Sequence, residues 1–311
     1  MTENREQKQD QVAQGIAIIL ASVATMAFAD AVVKLVSADL TVWQVFAVRS
    51  LFALPCLLIL AYTKGASLRP RSAKWVLLRS GLLVLTWLVY YSALPVLDLS
   101  VAAVAIYTNP ILTTLLSAAL LGERVSGRQW LGVMTGFVGV AIILKPGSDA
   151  FSWFVVLPLV GAGLYSLAMV LTRSKCQNEG AVTLALGLHG AFLVTGLVAT
   201  GLLALVGLET EVKDAYPFLV GDWAVMGARE WALMALLGGL SAAFFLGVAR
   251  AYQIAPPQII ATFDYGYLVS AALWGIVFFA ETPDRFTLLG MILITLAGLL
   301  VASRSGKSGA N

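Results

Sequence analysis

Charged residues are scarce in this chain. Only 12% of its 311 residues are Asp, Glu, Lys or Arg, against about 25% in soluble domains, and 59% are hydrophobic. The hydrophobic excess runs along nearly the whole length with no soluble-like block, which excludes a chain built of water-soluble domains. The composition predicts an all-α membrane protein.

Cysteine and histidine are also rare. The two cysteines, Cys56 and Cys176, cannot form a disulfide framework, and the single histidine, His189, has no metal-ligand spacing around it. We expect His189 to pack between helices rather than to relay protons. The chain has no phosphate-binding glycine loop followed by Lys and Ser or Thr, and no nucleophile–base arrangement. An enzyme, a built-in ATP motor, a cofactor, a metal and a nucleic-acid partner are therefore not expected.

Long apolar segments account for most of the chain. A helix needs about 20 apolar residues to cross roughly 30 Å of hydrocarbon. Windows of that length predict ten spans, at 13–36, 42–62, 74–95, 99–121, 128–145, 151–172, 181–206, 230–253, 257–280 and 285–303. The third and fourth spans are divided only by Pro95 to Ser100, but one helix of that length would be too long for the bilayer.

Lys and Arg are unevenly divided between the two sides of the predicted membrane. Of the 20 basic residues, twelve lie on the side of the N-terminus, four on the opposite side and four within spans. An excess of Lys and Arg marks the cytoplasmic side. The distribution predicts a multi-pass protein with both termini in the cytoplasm and the acidic segment from Gly207 to Arg229 outside.

A short internal repeat links the two halves. The run LLGERVSGRQWLG aligns with FFAETPDRFTLLG at a shift of 158 residues, and the alignment pairs Glu123 with Glu281, Gly132 with Gly290 and Tyr107 with Tyr265. Each run joins the last two helices of its half. We therefore predict two five-helix repeats, residues 13–145 and 151–303.

Five is an odd number, so the second repeat enters the membrane from the opposite side. Inverted repeats of this kind are typical of secondary transporters, whose substrate site lies at the repeat interface near the membrane midplane. The predicted fold is thus ten transmembrane helices in two inverted repeats around a central cavity.

Three further segments are informative: the stretch from Tyr107 to Leu144, the pattern FADAVVK from Phe28 to Lys34, and Gln44 with Arg49. With the paired glutamate turns, they resemble the drug/metabolite transporter superfamily in its ten-helix branch with two EamA-type domains. The resemblance covers essentially the whole chain and implies a transporter of the bacterial inner membrane. Family members include amino-acid and drug exporters and metabolite importers. The pattern of Asp30, Lys34 and Arg49 and the region from Tyr265 to Phe278 resemble members that take up S-adenosylmethionine.

Six ionisable residues lie within the predicted spans: Asp30, Lys34, Arg49, Arg79, Arg250 and Asp264. A charge at the centre of a membrane helix costs at least about 2.5–3.5 kcal/mol, so an unneeded one is disfavoured. Asp30 and Lys34 have the four-residue spacing at which opposite charges on a helix meet, and Arg49 reaches a similar depth. We predict that these three form a cluster near the outer side.

A second cluster is predicted near the inner side, from Asp264, Arg79 and Arg250. In the functional interpretation the two clusters are polar gates, and Asp30 or Asp264 binds a cationic group or a proton, so that an opening ion pair couples protonation to the gate. In the alternative, Asp30 and Lys34 form a static pair while Arg79 and Arg250 extend to the lipid headgroups.

Aromatic side chains form another group within the spans. The candidates for a cavity lining are Trp87, Tyr90, Tyr91, Tyr107, Tyr165, Tyr265 and Tyr267. Tyrosines there offer apolar contact, a hydroxyl and cation–π attraction for an amine, or they simply pack between helices. The resemblance places Trp87, Tyr91 and Tyr165 on helices that surround the transport pathway, and the repeat pairs Tyr107 with Tyr265.

Asn109 and Pro110 are predicted to interrupt the fourth span, because proline removes a backbone hydrogen bond and clashes with the preceding turn. The break is interpreted as a hinge or ligand site, or equally as a passive kink.

Together these features predict a secondary transporter of small polar or zwitterionic metabolites, amino acids or related compounds, driven by protons or by exchange. The alternatives are a transporter of S-adenosylmethionine or of drugs and amines, and a passive facilitator.

Overall fold

The computed structural model describes residues 2–122, 127–144 and 152–302, which are helical and contain no strand. The helices are α1 (Thr2–Val36), α2 (Val42–Thr63), α3 (Ala73–Ala93), α4 (Leu99–Ile106), α5 (Asn109–Leu121), α6 (Gly127–Leu144), α7 (Val156–Lys175), α8 (Ala181–Val206), α9 (Thr210–Ala215), α10 (Pro217–Val220), α11 (Ala228–Ile254), α12 (Pro257–Phe263), α13 (Gly266–Phe279) and α14 (Arg285–Ala302). A 3₁₀ turn, Trp153–Val155, precedes α7. Glu123 lies outside the described residues.

The helices confirm an all-α membrane protein. Eight segments are long and apolar enough to cross a bilayer, among them α4 with α5 and α12 with α13. The helices at the predicted fifth and tenth spans are α6 and α14, and 18 residues of each are described. Several predicted bounds agree closely with the helices. The predicted span 42–62 corresponds to α2 (Val42–Thr63), and the predicted span 181–206 corresponds to α8 (Ala181–Val206).

The fourth and ninth spans are both broken in the middle. Tyr107 and Thr108 separate α4 from α5, and Asp264 and Tyr265 separate α12 from α13. Pro110 is in the first turn of α5. The first turn of a helix needs no amide donor, so proline is accepted there. The sequence therefore located this break correctly to within two residues, but Pro110 begins a helix rather than kinking one.

The turns after α5 and α13 are alike. α5 ends at Leu121 and α13 at Phe279, and each is followed by a residue in the left-handed region, Gly122 with φ 69° and Ala280 with φ 53°. Alanine rarely adopts this conformation because its Cβ approaches the backbone. The sequence shift of 158 residues pairs both the helix ends and the two left-handed residues.

The packing of the helices is preserved when the two halves are exchanged, a property that we call exchange symmetry. If α1, α2, α3 and α6 correspond to α7, α8, α11 and α14, exchanging the halves preserves the major contacts. α1 packs on α11 as α7 packs on α3, while α2 packs on its own counterpart α8 and α6 on α14. The division into residues 13–145 and 151–303 stays a prediction, which this packing supports.

Close approach between α2 and α11 depends on Gly238. A Cβ at this position would lie 2.9 Å from the carbonyl oxygen of Arg49 and would also meet Phe52. The next residue, Gly239, has open space around it. Small residues at such crossings let membrane helices pack backbone against backbone.

We expect Gly238→Ala to lower the thermal unfolding temperature in detergent by about 4 °C or more, because overpacking costs about 1–3 kcal/mol. Gly239→Ala is the matched control and should leave the temperature unchanged or raise it, because alanine favours a helix more than glycine. Equal unfolding temperatures for the two variants would show that the α2–α11 contact is not tight.

Candidate transport site

Asp30, six residues before the end of α1, is fully buried and held by two tyrosines from other helices. The hydroxyl of Tyr267 on α13 donates to its Oδ2 at 2.7 Å, and the hydroxyl of Tyr91 on α3 donates to its Oδ1 at 3.1 Å. Tyr90 lies 2.9 Å from the Tyr267 hydroxyl, whose proton is already used, so Tyr90 donates. Asp30 therefore joins three helices through hydroxyl donors.

Arg49 on α2 extends this network and is 1% exposed. Its Nη1 donates to the Tyr91 hydroxyl at 3.0 Å, and its guanidinium lies 4.6 Å from the centroid of the Phe192 ring. The other edge of the guanidinium, Nε and Nη2, has no hydrogen-bond partner among the described residues. A buried cation held by rings and one hydroxyl keeps two parallel donors free.

Asp264 lies at the break between α12 and α13 and is also buried. The hydroxyl of Tyr252 on α11 donates to its Oδ2 at 2.7 Å. Its Oδ1 has no partner among the described residues. Unwound backbone at membrane depth is tolerated where it is buried in protein or lines a cavity, so this carboxylate is in a position typical of transporter sites.

A small cavity lies between the halves. It is lined by Met26, Asp30, Trp87, Tyr90, Ile106, Tyr107, Asn109, Tyr165 and Tyr267. Its volume is about 10 Å³, which is room for about one water molecule. Tyr107 stacks on Tyr267 with their ring centroids 4.3 Å apart and helps to fill it. The structure is therefore a conformation in which the centre is closed.

Several predicted site residues meet at this cavity. Asp30, Trp87, Tyr107, Asn109 and Tyr165 line it directly. Tyr91 does not line the cavity but donates a hydrogen bond to Asp30, and Arg49 in turn donates to Tyr91. Tyr265 is buried at the break beside Asp264, but it does not line the cavity.

The two predicted charge clusters are wrong in their membership. Lys34 is not paired with Asp30, because the Asp30 oxygens face the tyrosines of α3 and α13. The Lys34 Nζ instead forms an ion pair with Glu281 at 2.6 Å. At the other end, Arg250 is exposed and the Nε of Arg79 donates to Thr172, so neither joins Asp264.

The two ends of the bundle are closed in related ways. The end where α1 terminates is called the Lys34 end, and the end where α7 terminates is called the Arg173 end. The Lys34 Nζ donates to the carbonyl of Leu97 at 2.7 Å, and the Arg173 Nη1 donates to the carbonyl of Gln253 at 2.8 Å. Each basic residue is in the last turn of its helix; Lys34 bonds to the junction after α3, and Arg173 bonds to the last turn of α11.

Some important partners were missed from the sequence. Tyr90 and Tyr267 appeared only as aromatic candidates, and Glu281 only as a repeat marker, while Tyr252 was not noticed. A carboxylate inside a span must find donors, and mid-span tyrosines are the available ones, so this signal could have suggested Tyr267. In the described residues, no group of three His, Cys, Asp or Glu could hold a metal ion.

Known proteins resemble this chain over most of its length. Residues 13–145 match the EamA-like transporter family. The pseudopaline exporter of Pseudomonas aeruginosa strain UCBPP-PA14 is 26% identical over 300 residues, with 96% of this chain and 99% of the exporter covered. The riboflavin transporter of Rhizobium johnstonii is 29% identical over 265 residues, with 85% and 80% covered.

A third relative, the S-adenosylmethionine uptake transporter of Rickettsia prowazekii, is 22% identical over 295 residues, with 94% of each chain covered. One crystal structure matches with a TM-score of 0.66 at 20% identity, covering 96% of this chain and 99% of that one. The structural likeness shows a shared fold. The three named relatives are transporters of different molecules.

Proposed function

Since this chain is a member of the drug/metabolite transporter superfamily and transports small metabolites rather than acting as an enzyme, we propose that it moves small polar or zwitterionic compounds by alternating access. Amino acids and related compounds are the proposed substrate class. The observation that carries the proposal is Asp30, a fully buried carboxylate at a small central cavity, linked through one tyrosine to a buried arginine.

Both charges of a zwitterion have a complement at this site. The substrate's ammonium binds Asp30 together with the tyrosine rings around it, which attract cations. Its carboxylate binds the free edge of Arg49, because Nε and Nη2 are parallel donors that match two carboxylate oxygens. The arginine becomes accessible when the cavity opens and Tyr91 moves.

Alternating access follows from two inverted five-helix repeats, residues 13–145 and 151–303, with ten spans in all. The exchange symmetry of helix packing and the paired left-handed turns support this proposal. In it, the Lys34 end faces away from the cytoplasm, both termini are cytoplasmic, and the protein lies in the bacterial inner membrane. The central cavity opens to one end when the contacts of Lys34 break and to the other when those of Arg173 break.

Coupling to protons or exchange of substrates drives the cycle. Asp30 and Asp264 are the carboxylates available for either, because a buried carboxylate needs a proton, a cation or hydrogen-bond donors. Tyrosine donors occupy Asp30 and one oxygen of Asp264 in the closed form.

The proposal is tested in two steps on the purified full-length protein. Thermal unfolding in detergent is first measured with amino acids, amines, nucleoside derivatives and drugs. A ligand at about a hundred times its Kd should raise the unfolding temperature by about 5 °C. The hits are then radiolabelled and followed into proteoliposomes, with and without a pH gradient, an uncoupler and unlabelled substrate inside.

We expect zwitterions to stabilise the protein and to enter faster when a gradient or internal substrate is present. Stabilisation only by amines, drugs or S-adenosylmethionine would replace the proposed substrate class by that one. Flux that ignores the gradient, the uncoupler and internal substrate would identify a passive facilitator instead.

A further inference from the structure

A second and larger cavity lies at the Lys34 end. Its volume is about 540 Å³, within the range of about 300–1,000 Å³ that is typical of small-molecule sites. The ends of α1 and α13, the junction between α3 and α4, the start of α7 and the short helices α9 and α10 surround it. We call this cavity the vestibule.

The vestibule has an apolar, aromatic wall with one charge. Phe154, Tyr216, Phe218 and Phe279 contribute rings, and Lys34 is the one charged side chain among the described residues that line it. Apolar walls with a few polar groups are characteristic of sites that orient an organic molecule. The apolar wall alone would accept any apolar ligand, so Lys34 determines which polar group a ligand of the vestibule must carry.

Lys34 has hydrogen-bonding capacity left for a ligand. An ammonium has three donors. One reaches Glu281 Oε1 and one reaches the carbonyl of Leu97. The side chain is 14% exposed, so its charge is partly desolvated and acts more strongly than it would in water. Glu281 does not line the vestibule, so Lys34 is the member of the ion pair that a ligand there contacts.

We propose that the vestibule binds a small organic acid, with its carboxylate on Lys34 and its apolar or aromatic body against the rings. This inference rests on the proposed function at one point, that the acid is the transported metabolite held at one end before it reaches Asp30. Lys34 is one helical turn beyond Asp30 on α1, about 6 Å along the axis.

Binding of the acid also weakens a closing contact. Glu281 accepts from Lys34 with Oε1 and from the backbone amide of Leu99 with Oε2, so it ties the end of α1 and the start of α4 to the turn after α13. A ligand carboxylate competes with Glu281 for the Lys34 ammonium. Occupation of the vestibule thereby favours opening at the Lys34 end.

The test compares three probes of one shape: 3-phenylpropionate, 3-phenylpropionamide and 3-phenylpropylamine. Their Kd values are measured by ligand-dependent thermal unfolding of the full-length protein. The acid should bind at least tenfold more tightly than the amide and the amine. Lys34→Gln should remove this preference, and Glu281→Gln should tighten binding of the acid about threefold or more, because Lys34 loses its competing partner.

Two further variants separate binding from folding defects. Lys213→Gln removes a lysine that pairs with Asp222 outside the vestibule lining and should change nothing. Ala215 lines the vestibule from an exposed position on α9, a different helix from that of Lys34, and Ala215→Trp should fill the vestibule and abolish binding of all three probes. Asp30→Asn should keep vestibule binding, so loss of transport and loss of this site are distinguishable.

Equal binding of the three probes, or unchanged affinity in Lys34→Gln or Ala215→Trp, would overturn the proposal. The measurement is repeated in nanodiscs of phosphatidylcholine and of phosphatidylglycerol. Binding of the acid in both is expected. Binding in phosphatidylcholine alone would show that an anionic lipid headgroup occupies the vestibule, and would overturn the assignment of a soluble acid.

Discussion

Replacing Asp30 with asparagine should reduce transport of every substrate by about 10- to 150-fold while the protein still folds and inserts. Asparagine keeps the size of the side chain but removes the charge that receives two tyrosine hydroxyls and the substrate's cationic group. Hydrogen bonds to a charged group contribute about 1.5–3 kcal/mol, which corresponds to about 10–150-fold. Initial uptake rates in proteoliposomes measure the effect.

The matched control is Asp39→Asn. Asp39 is exposed just beyond the end of α1 and has the same side chain, so this variant should transport at the wild-type rate. Unfolding temperatures of both variants establish that they fold. An Asp30→Asn protein with a normal unfolding temperature and more than a third of wild-type transport would refute the role of Asp30.

Replacing Arg49 with glutamine should have a comparable effect, restricted to substrates with a carboxylate. The variant loses both free donors and should bind such substrates about 100-fold more weakly. Arg49→Lys keeps the charge but lacks the paired donors, and we expect it to bind at least tenfold more weakly than wild type. Substrate Kd values from thermal unfolding are the measurement.

Arg250→Gln is the control for Arg49, because Arg250 is an arginine on a membrane helix whose side chain is exposed. It should behave as wild type. If Asp30 and Arg49 hold one substrate between them, the loss of binding free energy in the double variant Asp30→Asn/Arg49→Gln should be smaller than the sum of the losses in the two single variants. Full affinity for carboxylates in Arg49→Lys would mean that the arginine only neutralises Asp30.

The sequence predicted the buried polar centre better than its hydrogen bonds. Asp30, Arg49 and Asp264 could be singled out because a charge in hydrocarbon is so costly that it must turn inward. The same reasoning failed for Arg250, whose side chain is exposed. An arginine near a helix end reaches water or headgroups with its long side chain. Hydropathy does not distinguish such an arginine from one that points into the bundle.

Partners across the bundle could not be predicted. Lys34 and Glu281 are 247 residues apart in the sequence, and their contact depends on how α1 and α13 are rotated about their axes. Tyr252 reaches Asp264 from a different helix in the same way. Helical periodicity fixes neighbours within one helix, whereas hydrophobic segments that are apolar all round leave the rotation of each helix undetermined.

Helices α6 and α14 join the two halves along one side of the bundle. A Cβ at Gly139 on α6 would lie 2.9 Å from the backbone carbonyl oxygen of Gly290 on α14, so the two backbones touch at this crossing. Lipid acyl chains are excluded from the crossing. A movement of one half against the other should therefore pivot about α6 and α14 and separate the helices on the opposite side of the bundle.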